Sequence, residues 1–286
     1  LQADLPFDTR IPIKFTINDG MKTYSRIFEF SANPSWLDMT YSNISISLPS
    51  NSRLGFNNTN PIDGHGIRLS NQENMVWEAG LMYGYSSDKV VSSVFSEPML
   101  TIINATAISE ETDSTITYIS TYTDTNHINS MNLKIIQKST SFSIAEMNQS
   151  VVVEYKLINQ SNENYANFHT GTFFDWDLTS AYNTSYFDEE NQIAICKNNV
   201  GESMYSGVSV FNKDFHQYAF DYEEDTEGIN LTDGFTTEER WFALSNNQPD
   251  AGDGAGNDVA QLISSEFLSF NTNDTIQLHF IIVMAH

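Results

Sequence analysis

The sequence predicts an all-β protein, a large antiparallel β-sandwich or super-sandwich with one short helix near residues 236–245. Apolar and polar residues alternate in many short segments rich in Ile, Val, Thr, Tyr and Phe, which is the period of half-buried strands. Polar turn residues separate these segments, as at Asn271 to Asp274. Many short strands joined by polar turns are typical of sandwiches and barrels.

The alternating segments occupy the first 160 residues. In chain order they are RIPIKFTIN (10–18), YSRIFEF (24–30), NISISL (43–48), STITYISTYTD (114–124), NLKIIQ (132–137) and SVVVEYKLIN (150–159). A further strand at 74–86 would place Met75, Trp77 and Ala79 on one buried face, with a bend or bulge near Gly80 or Gly84. The last segment, TIQLHFIIVMA, is strongly apolar, and we expect it to be an open edge strand that requires a partner.

The helix prediction is based on FTTEERWFAL, residues 235–244. Thr236 is followed three residues later by Glu239, which is the capping-box pattern of a helix start. Residues 1–40 are predicted to be leading strands that could end a preceding Ig-like module, and residues 41–286 to form the large sandwich. We expect the chain to be an excised part of a longer precursor.

The charge balance excludes one class of function. The chain has 13 Lys and Arg against 37 Asp and Glu, a formal net charge of −24. Such a surface repels nucleic acid and anionic membranes, and it suits calcium or a basic partner. The single cysteine, Cys196, rules out a disulfide within the chain, and its apolar strand-like surroundings predict that it is buried.

Two acids in NFHTGTFFDWDL, residues 167–178, are the first candidate site. Alternate strand residues share a face, so Asp175 and Asp177 should point away from Phe174 and Trp176. Their separation of about 7 Å fits a glycosidase pair, but that chemistry needs one acid in an apolar pocket. Polar turns and further acids flank the pair, so we expect both acids at a loop-rich rim, capping turns or binding calcium.

A second candidate calcium site lies in the loop PDAGDGAGND. It offers Asp250, Asp253, Asn257 and Asp258 as oxygen ligands, with glycines that permit tight turns. A solvated flexible loop is the alternative. The six histidines are scattered through the sequence and are expected to be ordinary surface or core residues. HExxH, GxSxG, GxGxxG and P-loop motifs are absent.

The order of several segments resembles a region that follows the catalytic domain in secreted subtilisin-like serine peptidases of Bacteroidetes, which are typically exported by the type nine system. The segments include RLGFNNTNPIDGHGIRL, MVWEAGLMYGYSSDKVVSSV, VVVEYKLINQSNENYANFHTGTFFDWDL, DGFTTEERWFAL and DTIQLHFIIVMAH, and the resemblance spans roughly residues 40 to 284. It implies a non-catalytic β-sandwich. The Asp, His and Ser motifs of the peptidase domain are absent, so no protease activity is implied.

The predicted function is a non-catalytic, extracellular or cell-surface β-sandwich module that supports a neighbouring domain or forms a surface assembly and is stabilised by calcium. A carbohydrate-binding or adhesive module that uses exposed aromatic residues is the alternative, since part of the chain also looks like strand pairs of large sugar-binding super-sandwiches. A glycan-active enzyme stays open as a third class. A deep cleft with a desolvated carboxylate would favour the enzyme, and exposed Trp or Tyr beside a groove would favour sugar binding.

Overall fold

The computed structural model describes residues 9–18, 20, 22–32, 36–49, 52–55, 64–95, 101–106, 114–180, 182–201, 203–224 and 228–286. Its elements in chain order are β1 (Thr9–Asn18), β2 (Thr23–Ala32), β3 (Trp36–Met39), β4 (Ile44–Pro49), β5 (Ile67–Leu69), β6 (Val76–Ser86), β7 (Lys89–Ser92), β8 (Thr101–Thr106), β9 (Thr115–Thr123), β10 (Leu133–Phe142), β11 (Ser150–Asn159), β12 (Tyr165–Trp176), β13 (Asn183–Asp188), β14 (Ile193–Asn198), β15 (Tyr205–Val210), β16 (His216–Asp221), a 3-10 helix (Leu231–Asp233), α1 (Thr237–Ser245), β17 (Val259–Phe270) and β18 (Thr275–Ala285). The predicted all-β fold and its one short α-helix are confirmed.

Two large antiparallel sheets form the sandwich. The eight-stranded sheet has the order β13-β14-β15-β18-β11-β10-β9-β8, and the five-stranded sheet has the order β16-β17-β12-β6-β7. The three-stranded sheet β3-β4-β5 adds to the same core. Buried apolar residues of both large sheets, such as Tyr155, Phe280 and Trp176, form one continuous cluster between them. Burial of this size is the main source of stability in a sandwich.

The five-stranded sheet is covered on its second face as well. Phe173, Phe220 and Leu262 on that face pack with Phe235 and Leu244, which belong to the start and end of the α1 segment. Thr236 caps α1 through the predicted capping box, because its hydroxyl accepts from the Glu239 backbone and the Glu239 carboxylate accepts from the Thr236 backbone. The outer face of this sheet is therefore a second, smaller core. Within the described residues, no helix is long and apolar enough to cross a membrane.

The last strand corrects one expectation. β18 was predicted to be an open edge, but it lies inside the eight-stranded sheet, where it pairs with β11 on one side and β15 on the other. Its apolar residues, including Leu278 and Phe280, face the core between the sheets. The strong apolar character of β18 therefore reflects a central strand with both neighbours present, not one that requires an external partner.

The first two strands form a separate hairpin. β1 and β2 pair with each other in a two-stranded sheet of their own. The apolar side chains of Ile17, Tyr24 and Ile27 are 70%, 56% and 61% exposed, and they lie on both faces of the hairpin. The proposed boundary at residues 40/41 stays a prediction, and β3 and β4 pair across it.

Candidate functional site

The alternation in FFDWDL is confirmed at its apolar positions. Phe174 and Trp176 are fully buried between the two large sheets, with stacked rings whose centroids are 5.0 Å apart. The Trp176 indole donates a hydrogen bond to Gln261 on the neighbouring strand β17, at 3.1 Å. The intervening residue Asp175 therefore points to the outer face of the five-stranded sheet, as the period of a strand requires.

Asp175 does not lie at a solvated rim, and that expectation was wrong. Its side chain is buried, its Oδ2 accepts a hydrogen bond of 2.8 Å from the Tyr222 hydroxyl, and its Oδ1 has no partner among the described residues. Desolvation raises the pKa of Asp175 well above its usual value, and the nearby acids Asp258 and Asp177 raise it further. The hydrogen bond from Tyr222 opposes this rise in the pKa of Asp175.

Strand pairing explains how Asp258 comes to lie near Asp175. Asp175 on β12 pairs with Ala260 on β17. Asp258 lies two residues before Ala260, so it belongs to the same face of the sheet as Ala260. On the other side of β17, Phe220 of β16 pairs with Ala260. Tyr222 comes two residues after Phe220 and therefore lies at the same end of the sheet as Asp175. Burial and the charges of Asp177, Glu223 and Asp221 raise the pKa of Asp258 to about 6.

A buried ion pair lies next to this group of acids and was missed in the sequence. Arg53 and Glu78 are 2.8 Å apart, with side chains only 4% and 9% exposed. The Glu78 carboxylate also accepts a hydrogen bond of 3.0 Å from the backbone of Phe95. Burial raises the pKa of Glu78 and the charge of Arg53 opposes that shift. The two residues are 25 positions apart, and no local pattern connects them.

The predicted calcium ligands divide between two environments. Asp175, Asp177 and Asp258 interact electrostatically at the sheet end. The other three predicted ligands, Asp250, Asp253 and Asn257, make hydrogen bonds within their loop or to Asp221 at the end of β16. The Asp253 carboxylate accepts from the backbone of Ala255 and Gly256, Asn257 donates to Asp221 at 2.8 Å, and the Asp250 carbonyl accepts from Gln248. Among the described residues, no three His, Cys, Asp or Glu side chains are grouped so that they could hold a metal ion. Calcium binding stays a prediction.

An open groove of about 660 Å³ begins at Asp177. One wall is the turn between β5 and β6, and the other is the turn after β12. A backbone hydrogen bond of 3.1 Å from Asp177 to Met75 ties the two walls together. Seven of the eight lining residues are polar: Asn71, Gln72, Glu73, Asn74, Asp177, Thr179 and Ser180, with Met75 as the eighth.

The second wall of the groove is held by buried amides. Asn183 donates to the carbonyls of Trp176 and Ser180, at 3.2 and 2.8 Å, and Asn198 donates to the Thr179 hydroxyl at 2.9 Å. Thr179 has a backbone φ of +60°, which is unusual for a β-branched residue. Such strained residues are concentrated at functional sites, where the surrounding structure enforces them.

Exposed aromatic residues follow both walls in the sequence. Trp77 comes two residues after Met75 and Tyr182 two residues after Ser180, and they are 60% and 53% exposed. Trp77 was expected in the core with Met75 and Ala79. The pairing of β6 with β12 instead skips Trp77 as the extra residue of a bulge, which turns its side chain outward.

Two of the scattered histidines meet under α1. The rings of His169 and His216 are 6.4 Å apart, and His216 Nε2 lies 3.0 Å from the carbonyl oxygen of Leu244 at the end of the helix. Ser264 also donates to that carbonyl, at 2.9 Å. Burial lowers the pKa of both histidines. They are core residues, as predicted, and they fasten the end of α1 to the sheet. Cys196 is likewise buried and free.

Comparison with known proteins adds little to this geometry. No family model and no curated protein matches the chain. Among solved structures, the Slr1438 protein from Synechocystis sp. PCC 6803 shares 6% identity over 99% of both chains, with a TM-score of 0.42. HI1317 shares 7% identity over 96% of this chain and 100% of its own, with a TM-score of 0.41. The heparan sulfate lyase HepC from Pedobacter heparinus shares 10% identity and a TM-score of 0.42, and the match covers 89% of this chain but only 37% of HepC. At these scores the similarity carries no argument about function.

Proposed function

We propose that this β-sandwich is a non-catalytic, carbohydrate-binding module of a secreted or cell-surface protein. The observation that carries the proposal is the open groove at Asp177, with seven polar residues among the eight that line it. Its volume of about 660 Å³ falls within the range of small-ligand sites, roughly 300–1,000 Å³. Sugars present many hydroxyl groups, so a polar, open groove on a rigid scaffold suits them.

Two exposed aromatic residues support the same proposal. Trp77 and Tyr182 each follow a groove residue in the chain and keep more than half of their side chains exposed. An aromatic face beside polar groups provides a surface for the apolar face of a sugar ring. Trp77 is accessible because it is the extra residue of the β-bulge in β6.

Binding without catalysis fits the positions of the carboxylates. A glycosidase needs an acid and a second carboxylate that both face the scissile bond. Asp175 is desolvated, but it is buried against Tyr222 and does not line the groove. The groove carboxylates are Asp177 and Glu73, and Glu73 lies on an exposed turn. The enzyme alternative predicts release of reducing ends from a glycan, which a reducing-sugar assay of the incubated oligosaccharides would detect.

Calorimetric titration of the intact chain with neutral oligosaccharides tests the proposal. We expect binding that weakens by about tenfold in Trp77→Ala, since stacking of this kind is worth roughly 0.5–1.5 kcal/mol beyond the buried area. Phe211→Ala is the matched control, because Phe211 is 58% exposed and does not adjoin either groove wall in the chain. Absence of binding at millimolar ligand, or an equal loss in both variants, would overturn the proposal.

The extracellular location is part of the proposal. The net charge of −24 and the resemblance of the segment order to the region after secreted subtilisin-like peptidases both support it. The location can be tested by detecting the protein with an antibody in the medium, surface and intracellular fractions of the cells that produce it. Detection in the intracellular fraction alone would count against this part of the proposal and leave the groove unaffected.

A second candidate function, support of a neighbouring domain or subunit, is favoured by the β1–β2 hairpin. Ile17, Tyr24 and Ile27 are exposed on a two-stranded sheet, and such a hairpin is marginally stable alone. Covering it with a partner would remove this apolar surface from water. Sedimentation velocity of the intact chain and of a variant lacking residues 9–32 tests this. Association that depends on concentration and disappears in the deletion is expected, and two monomeric proteins would refute it.

A further inference from the structure

We infer that the β1–β2 hairpin of one copy of this chain packs its apolar face on the outer face of the eight-stranded sheet of a second copy. The inference rests on the second candidate function, support of a neighbouring subunit, and names that subunit and its contact surface. Two exposed apolar surfaces with opposite charges beside them are the observations behind it.

The hairpin is amphipathic, with its apolar side chains concentrated on one face. Cross-strand pairs such as Ile17 and Tyr24 share a face of the hairpin. The described residues of the apolar face are Ile13, Phe15, Ile17, Tyr24 and Arg26, and those of the polar face are Pro12, Lys14, Thr16, Asn18, Thr23, Ser25 and Ile27. The four apolar side chains of the first face are 41–70% exposed. Because a two-stranded sheet is only marginally stable by itself, this face requires a covering layer.

The complementary surface is an apolar stripe on the outer face of the eight-stranded sheet. Its side chains alternate along the strands with buried ones such as Cys196 and Ile282. Four neighbouring strands align one row of this face: Tyr186, Ile195, Gly207 and Val283. Ile193 and Ile281 extend the row, since each lies two residues from one of its members. The apolar stripe, Tyr186, Ile193, Ile195, Ile281 and Val283, is half-exposed throughout and offers a sheet face on which another sheet can pack.

Charge complementarity matches the hairpin to this stripe. Residues 9–32 contain four Lys or Arg against two acids, whereas the rest of the chain contains nine against 35. The turn between β13 and β14 borders the stripe and carries three successive acids, Asp188, Glu189 and Glu190, while Lys197 lies towards the other end of β14. Opposite charges beside two apolar surfaces favour their pairing and fix its orientation. At 0.1 M salt, charges more than about 10 Å apart are screened, so these local charges outweigh the repulsion between two acidic molecules.

The stripe that the hairpin covers belongs to another copy, because the apolar face of the hairpin is exposed in the single chain. An anionic lipid surface is the competing occupant, and the net charge of −24 opposes its approach. A contact between two different surfaces either closes a dimer by reciprocal exchange or continues into a filament. Both forms are subunit assemblies of the kind that the second candidate function requires.

Sedimentation velocity of the intact chain and of two variants in 0.1 M salt tests the contact. Ile17→Ser alters the hairpin face and Ile195→Ser alters the stripe. We expect each to weaken association by about tenfold or more, because each removes an isoleucine from the buried interface. An equimolar mixture of the two variants should recover part of the association, because the hairpin of one fits the stripe of the other. Ile128→Ser is the matched control, since Ile128 is 83% exposed between β9 and β10 and should leave association unchanged.

A charge reversal tests the same contact without altering the core. Glu189 is exposed in the turn between β13 and β14, and we expect Glu189→Lys to weaken association by about fivefold. Glu146→Lys is its control, because Glu146 is an exposed acid in the turn between β10 and β11.

The outcomes separate this inference from the second candidate function. Association that Ile17→Ser abolishes, but that Ile195→Ser and Glu189→Lys leave unchanged, would overturn the inference and leave the second candidate function intact. A mixture of the two serine variants that stays monomeric would also overturn the inference. A monomeric unmodified chain would overturn both proposals. Flotation of that monomer with vesicles of anionic phospholipid, lost in Ile17→Ser, would assign the hairpin to a lipid surface instead.

Discussion

At the scale of single residues, the end of β12 shows how burial changes the chemistry of a carboxyl group. Asp175 and Asp177 are two positions apart, yet Asp175 is enclosed against Tyr222 and Asp177 opens onto a groove. The difference arises because Tyr222, in the segment after β16, lies against Asp175, whereas Asp177 lies beyond the end of β12. One acid is therefore a buried structural group with a raised pKa, and the other lines an open groove.

The first prediction concerns the variant Asp258→Asn. The pKa of Asp258 is about 6 in the folded protein against an ordinary value of 3.8, so folding favours its protonated form. Its stabilising contribution is complete below about pH 4 and is lost as pH rises through about 6. Asparagine does not ionise, so the variant does not lose this stability as the pH rises. We therefore expect the variant to melt about 2 °C higher than the unmodified chain at pH 8 and at the same temperature at pH 4. The expected gain is only about 1 kcal/mol because solvent screens a half-exposed carboxyl group.

Calorimetric melting at pH 4, 6 and 8 measures this difference. His169 and His216 have lowered pKa values, so their contribution is lost below about pH 6.5, in the opposite direction. That effect is common to both proteins and cancels in their difference. Asp250→Asn serves as the control, since it changes an exposed acid by the same chemical step. A difference that does not depend on pH would contradict the assignment.

At the scale of secondary-structure elements, local patterns were predictable and long-range pairings were not. The capping box of α1 was visible because Thr236 and Glu239 are three residues apart. The central position of β18 was hidden because its neighbours β11 and β15 are set by distant parts of the chain. The bulge at Trp77 depends in the same way on its pairing with β12. A strongly apolar strand therefore indicated burial correctly, but not which strands bury it.

The cap of α1 provides the prediction at this scale. Thr236→Ala removes the hydroxyl that accepts from Glu239 and leaves one backbone donor of the first turn without its partner. We expect a loss of about 1 kcal/mol in the free energy of unfolding, measured by urea titration. Thr237→Ala, one residue later and inside the helix, is the matched control and should cost much less. Equal losses in the two variants would show that the cap is not what stabilises the start of α1.

At the scale of the whole molecule, the fold class followed from the sequence while the site did not. Period-two patterns are a property of every half-buried strand, so their number alone indicated a sandwich. The groove is formed by two turns roughly 100 residues apart, Asn71 to Met75 and Asp177 to Ser180, which only the pairing of β6 and β12 brings together. A sequence pattern of either turn alone describes only a polar loop. The sequence therefore indicated Asp177 as a candidate residue, but the opposite wall of the groove depends on sheet topology and could not be predicted.

The last prediction follows from the net charge of −24 and concerns how the melting temperature responds to ions. Self-repulsion of so many acids destabilises the compact state, and salt screens it over about 10 Å at 0.1 M. We therefore expect the melting temperature to rise between low and high sodium chloride. Specific calcium binding that involves Asp258, one of the predicted ligands, would add a further rise in calcium over magnesium at equal ionic strength, following RT ln(1 + [L]/Kd). Asp258→Asn would remove that additional rise while keeping the response to sodium chloride. Equal melting temperatures in calcium and magnesium would leave these acids with a purely electrostatic role.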